Sequence, residues 1–386
     1  MKILHIQWGI CGTADIDEAF IAEGHEVVGF PFSKNQDVVY NREVEEELTA
    51  ALRRETPDAV YSFNFFPVIS KVCAREDIRY IAWVFDDPCV FLYSETVVNT
   101  CNCIYIFDKE LCARFQKEGI STVHYMPLAA NTERLDAMDK MLDTGYTYDV
   151  SFVGSLYLEQ HDFFDRMYDA LPAYAKGYIR ALMAIQLQIQ GYDLIEASLA
   201  PVMADLYRAC PIGIEPGSRA TREYMYTKYV IDRRLTSIER IDLLEAVAKE
   251  RPVDLFTYIR GLSMANVNEH GTVGYLEEAP VVFKKSKVNL NITLQSIQNG
   301  IPLRAFDIMG AGGFLISDLQ SGFLDLFVPG EDFVYYENRT DLVRKVDYYL
   351  KHEAERKAIA RNGHDKIAAE HTYKHRVREM FAQGYS

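Results

Sequence analysis

Short apolar runs and amphipathic runs alternate through the first third of the chain. Lys2–Trp8, His25–Phe30, Ala59–Phe63, Tyr80–Phe85, Cys103–Phe107 and Thr122–Tyr125 are apolar and bounded by turn residues, as strands are. Helical runs lie between them, from near Asp15 to Gly24, over Val44–Arg54 and over Lys109–Glu118. Asp108 is placed to cap the last of these and Gly119 to stop it. This alternation predicts βαβ units and a parallel, doubly wound α/β sheet. A polar break over Met126–Tyr148 follows, opened by Pro127, and Tyr148–Val153 then reads as the first strand of a second α/β domain. From about 158 to 250 the pattern is helical, clearest in Asp193–Cys210, Tyr224–Arg234 and Ser237–Lys249, which predicts a helical insertion. Strand runs return at Val253–Tyr258, Ala279–Phe283, Lys287–Ile292 and Gly313–Ser317, with a helix over Leu303–Gly310. The tail reads as helices over Thr340–Leu350, Glu353–Ala369 and His371–Phe381. The predicted organisation is a Rossmann-like domain over 1–130, a linker over 131–147, a second such domain over 148–370, and a C-terminal helix in 371–386. Two such domains predict a cleft, with ligands beyond the carboxyl ends of the strands.

Composition narrows the partners. Apolar residues make up 49% of the 386 positions and charged residues 25%, the balance of a soluble globular chain. A formal net charge of −15 works against nucleic acid and anionic membranes, though a local basic groove can still hold a phosphate. The seven cysteines include no C-x-x-C pair and no zinc spacing, so reduced thiols in the cytoplasm are expected. No apolar run reaches 18 residues and Met1–Ile6 enters a strand at once, so neither a membrane span nor a signal peptide is predicted.

Five strand-end stretches carry candidate chemistry. Gly9-Ile10-Cys11-Gly12 follows the first strand and can present backbone N–H groups, but it is not G-x-G-x-x-G and is equally a tight βα turn. Trp83-Val84-Phe85-Asp86-Asp87-Pro88 ends a strand in two carboxylates. These can act as a base, hold hydroxyls or cap a helix, and the cleft role is favoured because one cap needs only one Asp. Gly154-Ser155 ends the second domain's first strand and can receive a phosphate, with His161 and Lys228 as possible charge partners. Asn268–Tyr275 is a glycine-punctuated loop, ordinary in pattern; its backbone can read a base edge, and Tyr275 can stack on the ring. In Asn299–Gly313, Arg304 and Asp307 share a helical face: an Arg can clamp a diphosphate and a carboxylate can hold ribose hydroxyls. The same spacing also makes a common surface ion pair, but nearby glycines leave this one little hidden.

Phe306–Gly313 resembles the FEAMACG segment of family-4-like retaining glycosyltransferases of GT-B fold. More closely, Phe152–Ser155, Asn289–Thr293, Gly300–Gly313, Phe327–Asp332, Asn362-Gly363 and His371–Tyr373 resemble the spore-maturation-type (CgeB-like) glycosyltransferases. Trp83–Pro88 resembles the W-DDP segment of that family. The resemblance covers most of the chain outside the helical insertion. It implies two Rossmann-like domains facing a cleft, a nucleotide-sugar donor bound mainly to the second and an acceptor, glycan or protein, bound mainly to the first. It implies no cofactor and no essential metal, because backbone dipoles and a basic side chain would neutralise the diphosphate. Asp307 stands where the family's Glu would hold the ribose, and Asn299 where another Glu would contact the donor sugar. No base follows Gly154 where the family carries Arg or Lys, which leaves Arg304 as the main cation for the diphosphate. The candidate donor-site set is therefore Gly12, Gly154, Ser155, His270, Tyr275, Asn299, Arg304 and Asp307. The catalytic candidates are Asp86, Asp87 and Asn299, with Asp15 a further possible base if configuration inverts. A catalytically inactive nucleotide-sugar- or glycan-binding partner protein and a sugar-nucleotide epimerase are the competing readings.

Overall fold

A computed structural model of the protein describes residues 1–33, 37–138, 145–158, 163–189 and 191–382. The chain divides into two compact units. The first comprises Met1–Ala129, Glu215–Ala220 and His371–Ser386, the second Ala130–Ile214 and Thr221–Glu370.

The first unit runs β1 (Lys2–Gln7), α1 (Thr13–Ala22), β2 (Glu26–Pro31), α2 (Arg42–Glu55), β3 (Ala59–Phe63), α3 (Pro67–Glu76), β4 (Arg79–Val84), β5 (Asn102–Ile106), α4 (Lys109–Lys117) and β6 (Val123–Tyr125). The strands form one parallel sheet in the order β2-β1-β3-β4-β5-β6. β3 and β5 are buried at every position, as central parallel strands covered on both faces must be. Asp108 caps α4 as expected, accepting from the N–H groups of Glu110 at 2.9 Å and Leu111 at 3.1 Å. The order reverses between β1 and β3, which makes that edge the unit's switch point.

The second unit opens with α5 (Thr132–Ala137) and β7 (Tyr148–Val153). The helical insertion follows as α6 (Phe163–Ala170), α7 (Ala173–Gln186), α8 (Ile195–Ser198), α9 (Met203–Ala209), α10 (Arg222–Tyr226) and α11 (Asp232–Ala248). The Rossmann-like frame then resumes with β8 (Val253–Phe256), β9 (Val267–Glu269), α12 (Ala279–Lys285), β10 (Ser286–Asn291), α13 (Leu303–Gly310), β11 (Leu315–Asp318), α14 (Phe323–Leu326), β12 (Val334–Tyr336), α15 (Arg339–Lys351) and α16 (Glu353–Glu370). The last helix, α17 (Tyr373–Ala382), belongs to the first unit. All pairings are again parallel, in the order β12-β11-β10-β7-β8-β9, and the switch point falls between β7 and β10.

The insertion has a core of its own, built on residues such as Phe164, Ile179, Leu206, Tyr226 and Leu235. The sheet has another, including Val150, Leu243, Leu244, Leu290 and Ile316. α11 joins the two, with Leu235 in the first and Leu243 and Leu244 in the second. α11 therefore packs into both cores and links the insertion to the sheet.

Several elements depart from the pattern reading. Ala279–Phe283, read as a strand, is α12. Its apolar run is too short to separate the two periods, and the crossover from β9 to parallel β10 supplies the reason for a helix. Asp193–Cys210 is not one helix: Pro201, lacking an N–H, sits in a 3₁₀ turn over Ala200–Val202 that separates α8 from α9. Conversely, Tyr224–Arg234 and Ser237–Lys249 belong to one run, since α10 passes through a π-turn over Thr227–Ile231 into α11. The loop over Asn268–Tyr275 begins inside edge strand β9. Gly312-Gly313 precedes β11, at the opposite end of the sheet from the strand C-termini. A Cβ on Gly313 would meet Asn289 Nδ2 at 2.9 Å and the Phe283 carbonyl at 3.0 Å, so its smallness serves packing.

Candidate functional site

At the second unit's switch point, β7 ends in Gly154-Ser155 and β10 runs on into Ile292-Thr293. Arg240, from α11, lies across both ends. Its Nη1 donates to the Ser155 carbonyl at 2.5 Å, and its Nε and Nη2 donate to the Ile292 carbonyl at 3.0 and 2.5 Å. The guanidinium sits between the rings of Phe152, 5.4 Å away, and Tyr157, 5.2 Å away. Arg240 is only 9% exposed, and burial lowers its pKa while Tyr157, Asp318 and Glu239 oppose that shift. No base follows Gly154 in the sequence; Arg240, 85 residues beyond Ser155, reaches this strand end instead. No local motif could have revealed it.

Two carboxylates flank this guanidinium electrostatically. Asp318, at the end of β11, accepts from the Thr293 N–H at 2.9 Å, Thr293 Oγ1 at 2.8 Å and Gln320 Nε2 at 2.7 Å. Glu239 accepts from Gln295 Nε2 at 2.6 Å. Burial, and then the Asp318 charge, push the Glu239 carboxyl up to about 7. An acid whose folded-state pKa is raised binds a proton that the unfolded chain has already released. Stability therefore falls as pH rises from the unfolded value of 4.5 to about 7, and the loss is complete above that. Glu239→Gln is expected to gain on the wild type by up to about 3 kcal/mol at pH 8 and by much less near pH 4.5. Urea unfolding at the two pH values measures this, and an equal difference at both would contradict it.

On α13, three of the expected residues come together. Asp307 is 7% exposed; its Oδ1 accepts from Tyr275 Oη at 2.9 Å and its Oδ2 from Arg304 Nη1 at 3.4 Å. The Arg304 guanidinium lies 5.1 Å from the Phe283 ring. The arrangement presents a carboxylate, a phenol and a partly exposed guanidinium at one place. Asn299 is turned to a different partner, its Nδ2 donating to Ser321 Oγ at 2.5 Å, while its main-chain carbonyl accepts from the Gly322 N–H at 3.1 Å.

Other expected positions are held by the fold. The Gly154 N–H donates to the Phe256 carbonyl at 3.0 Å, and Ser155 Oγ accepts from the Tyr157 N–H at 2.8 Å. His270 places Nε2 at 2.7 Å from Asp254 Oδ1 and stacks on Phe256 with centroids 4.5 Å apart. Lys228 is buried against Asp193 at 2.6 Å and Asp232 at 3.2 Å, so its charge is compensated within the insertion and not by Gly154-Ser155. His161 lies outside the described residues.

In the first unit, Gly12 takes φ +87° at the start of α1, and a Cβ there would meet Tyr373 Oη at 2.7 Å. Exposed Asp86 accepts from Asn64 Nδ2 at 2.7 Å, and Asn64 Oδ1 in turn accepts from the N–H groups of Phe85 and Asp86. Asn64 follows β3 at the switch point, so it ties the Asp86 turn to that edge. The next turn, Val90–Tyr93, has Cys89 at its N-cap, which makes no side-chain cap bond. Asp87-Pro88 is a cis peptide, and Asp15 is buried in α1. Among the described residues, no cluster of three or more His, Cys, Asp or Glu is arranged to hold a metal ion, and no helix is long and apolar enough to cross a membrane.

Two parallel six-stranded sheets with covering helices define the GT-B class of α/β fold, as expected. A glycosyltransferase from Rickettsia africae superposes with a TM-score of 0.56 at 9% identity, covering 99% of this chain and 97% of that one. HepE of Anabaena, in complex with UDP and glucose, superposes with a TM-score of 0.53 at 10% identity, covering 99% and 100%. A sucrose-phosphate synthase from Thermosynechococcus elongatus gives 0.52 at 12% identity, covering 99% and 98%. Residues 236–382 match the family model described as Glycosyl transferase-like. No curated protein sequence matches the chain.

Proposed function

We propose that the protein transfers a sugar from a nucleoside-diphosphate sugar to a glycan, a protein or another cell-surface component. The observation that carries this is the meeting of Tyr275, from the loop before α12, with Asp307 and Arg304 of α13, all inside the segment matching the Glycosyl transferase-like model. Asp307 accepts ribose hydroxyls, with Tyr275 orienting the carboxylate. Arg304 meets the leaving diphosphate, and Asn299 is the position proposed to contact the donor sugar, on release of its Nδ2 from Ser321. HepE, similar in fold, is described in complex with UDP-glucose, which supports a uridine nucleotide as the first donor to try. Asp86 and Asp87 lie on the acceptor side. Retention of configuration needs no enzymic base, because the leaving phosphate can take the acceptor proton; Arg304 makes a metal dispensable for that charge. The seven free cysteines fit work in the cytoplasm. The closer kinship proposed is with the spore-maturation-type members, on the segments resembling them.

The test is incubation with a panel of nucleotide sugars, with and without EDTA, following nucleoside-diphosphate release and product anomer by NMR. Transfer or donor hydrolysis that survives EDTA is expected, and Arg304→Ala should weaken donor binding by about tenfold or more. Full donor affinity in that variant would remove Arg304 from the diphosphate. Tight binding without turnover would instead favour a non-catalytic binding protein. Asn299 gives that second reading its support, because it lacks the charge the family carries there.

A further inference from the structure

Apart from α13, the second unit holds an open pocket of about 490 Å³ beyond the end of β12, within the size range of small-molecule sites. Its walls come from three elements: the end of α7 at Leu187-Gln188, the face of α11 carrying Ile238, Glu239 and Asp242, and the β12–α15 turn. Tyr336 borders it. This residue is 1% exposed, and its hydroxyl has no hydrogen-bond partner, which a buried polar group rarely tolerates.

The lining selects a chemistry. Arg339 is ion-paired with Asp242 at 3.0 Å and Glu239 lies in the field of Arg240, which leaves Glu337 as the carboxylate without a matching cation in the lining. The α15 N-terminus does not invite an anion either, since Asn338 Oδ1 accepts from the Asp341 N–H at 3.0 Å and Asp341 Oδ2 from the Glu337 N–H at 3.1 Å. Carboxylate acceptors, the Gln188 amide and the Tyr336 hydroxyl suit a ligand rich in hydroxyls, while Leu187, Ile238 and Leu243 offer apolar contact to C–H faces. A second nucleotide or an acidic sugar would meet the uncompensated Glu337 carboxylate.

We propose that this pocket is a carbohydrate-binding site for a neutral saccharide unit, distinct from the donor constellation on α13, with Tyr336, Glu337 and Gln188 reading its hydroxyls. The inference rests on the pocket's own lining and stands whether or not the transferase reading does. Titration calorimetry of the full chain with D-glucose, N-acetylglucosamine, maltose and D-glucuronate tests it. At least one neutral sugar should bind saturably and glucuronate should not. Ile238→Trp fills the pocket from a surface position and should weaken that binding at least about tenfold, leaving the affinity for UDP unchanged. Glu337→Lys should weaken it likewise, which guards against misfolding of the first variant. UDP at saturation should not displace the sugar. Absence of saturable binding by every neutral sugar, binding that survives Ile238→Trp and Glu337→Lys, or displacement by UDP would each overturn the proposal.

Discussion

Arg240→Ala is expected to destabilise the second unit by about 3–5 kcal/mol, the range for removing one partner from a buried charged network. The guanidinium satisfies the carbonyls at the ends of β7 and β10 and lies between two aromatic rings. Its loss leaves those carbonyls short of a donor, empties the space between Phe152 and Tyr157, and removes the cation that offsets Asp318 and Glu239. Each unsatisfied buried group alone costs about 1–3 kcal/mol. Arg240→Lys keeps the charge but cannot reach both strand ends with a planar fork, so it should recover only part of the loss. Urea unfolding followed by tryptophan-independent circular dichroism measures both variants. A change below about 1 kcal/mol for the alanine variant would mean that the clamp is not structural. Because the clamp spans the switch point, donor binding should weaken along with stability.

Asp307→Ala should lower nucleotide affinity by about 100-fold while leaving the fold intact. Two hydrogen bonds from ribose hydroxyls to a carboxylate are together worth about 3 kcal/mol or more, and that is two decades in affinity. The side chain lies in a helix whose packing is carried by neighbours such as Ala305, Phe306, Ile308 and Met309, all buried. Its removal therefore leaves Tyr275 Oη and Arg304 to water and not to a collapsed core. Asp307→Glu restores the carboxylate on a longer stem and should regain most of the affinity. UDP titration by calorimetry decides the matter: unchanged affinity in the alanine variant would take the ribose away from Asp307. An Asp307→Glu variant as weak as the alanine would show that carboxylate placement matters more than its charge.

Much of the site was legible where its parts are close in sequence. Arg304 and Asp307 are one helical turn apart, so helix geometry alone brings them onto one face, and the structure pairs them. Tyr275 was named from its loop, but its meeting with Asp307, 32 residues on, depends on the crossover through α12. In sequence the apolar run of that crossover fits a strand as well as a helix, because four or five apolar residues suit either period. Lys228 shows the opposite failure: a lone base looks available in the sequence, and only folding reveals the two aspartates that neutralise it.

Alternation of apolar runs with amphipathic helices was enough to establish two parallel α/β sheets and a helical insertion, because period and turn chemistry are local properties that each segment carries within itself. Pairing across the sheets is not local. The reversal of strand order between β7 and β10, the arrival there of Arg240 from a helix that bridges two cores, and the raised Glu239 beside Asp318 all depend on which surfaces meet when the chain is buried. Burial and charge proximity set those properties, and both come into being only when residues far apart in the chain are packed together.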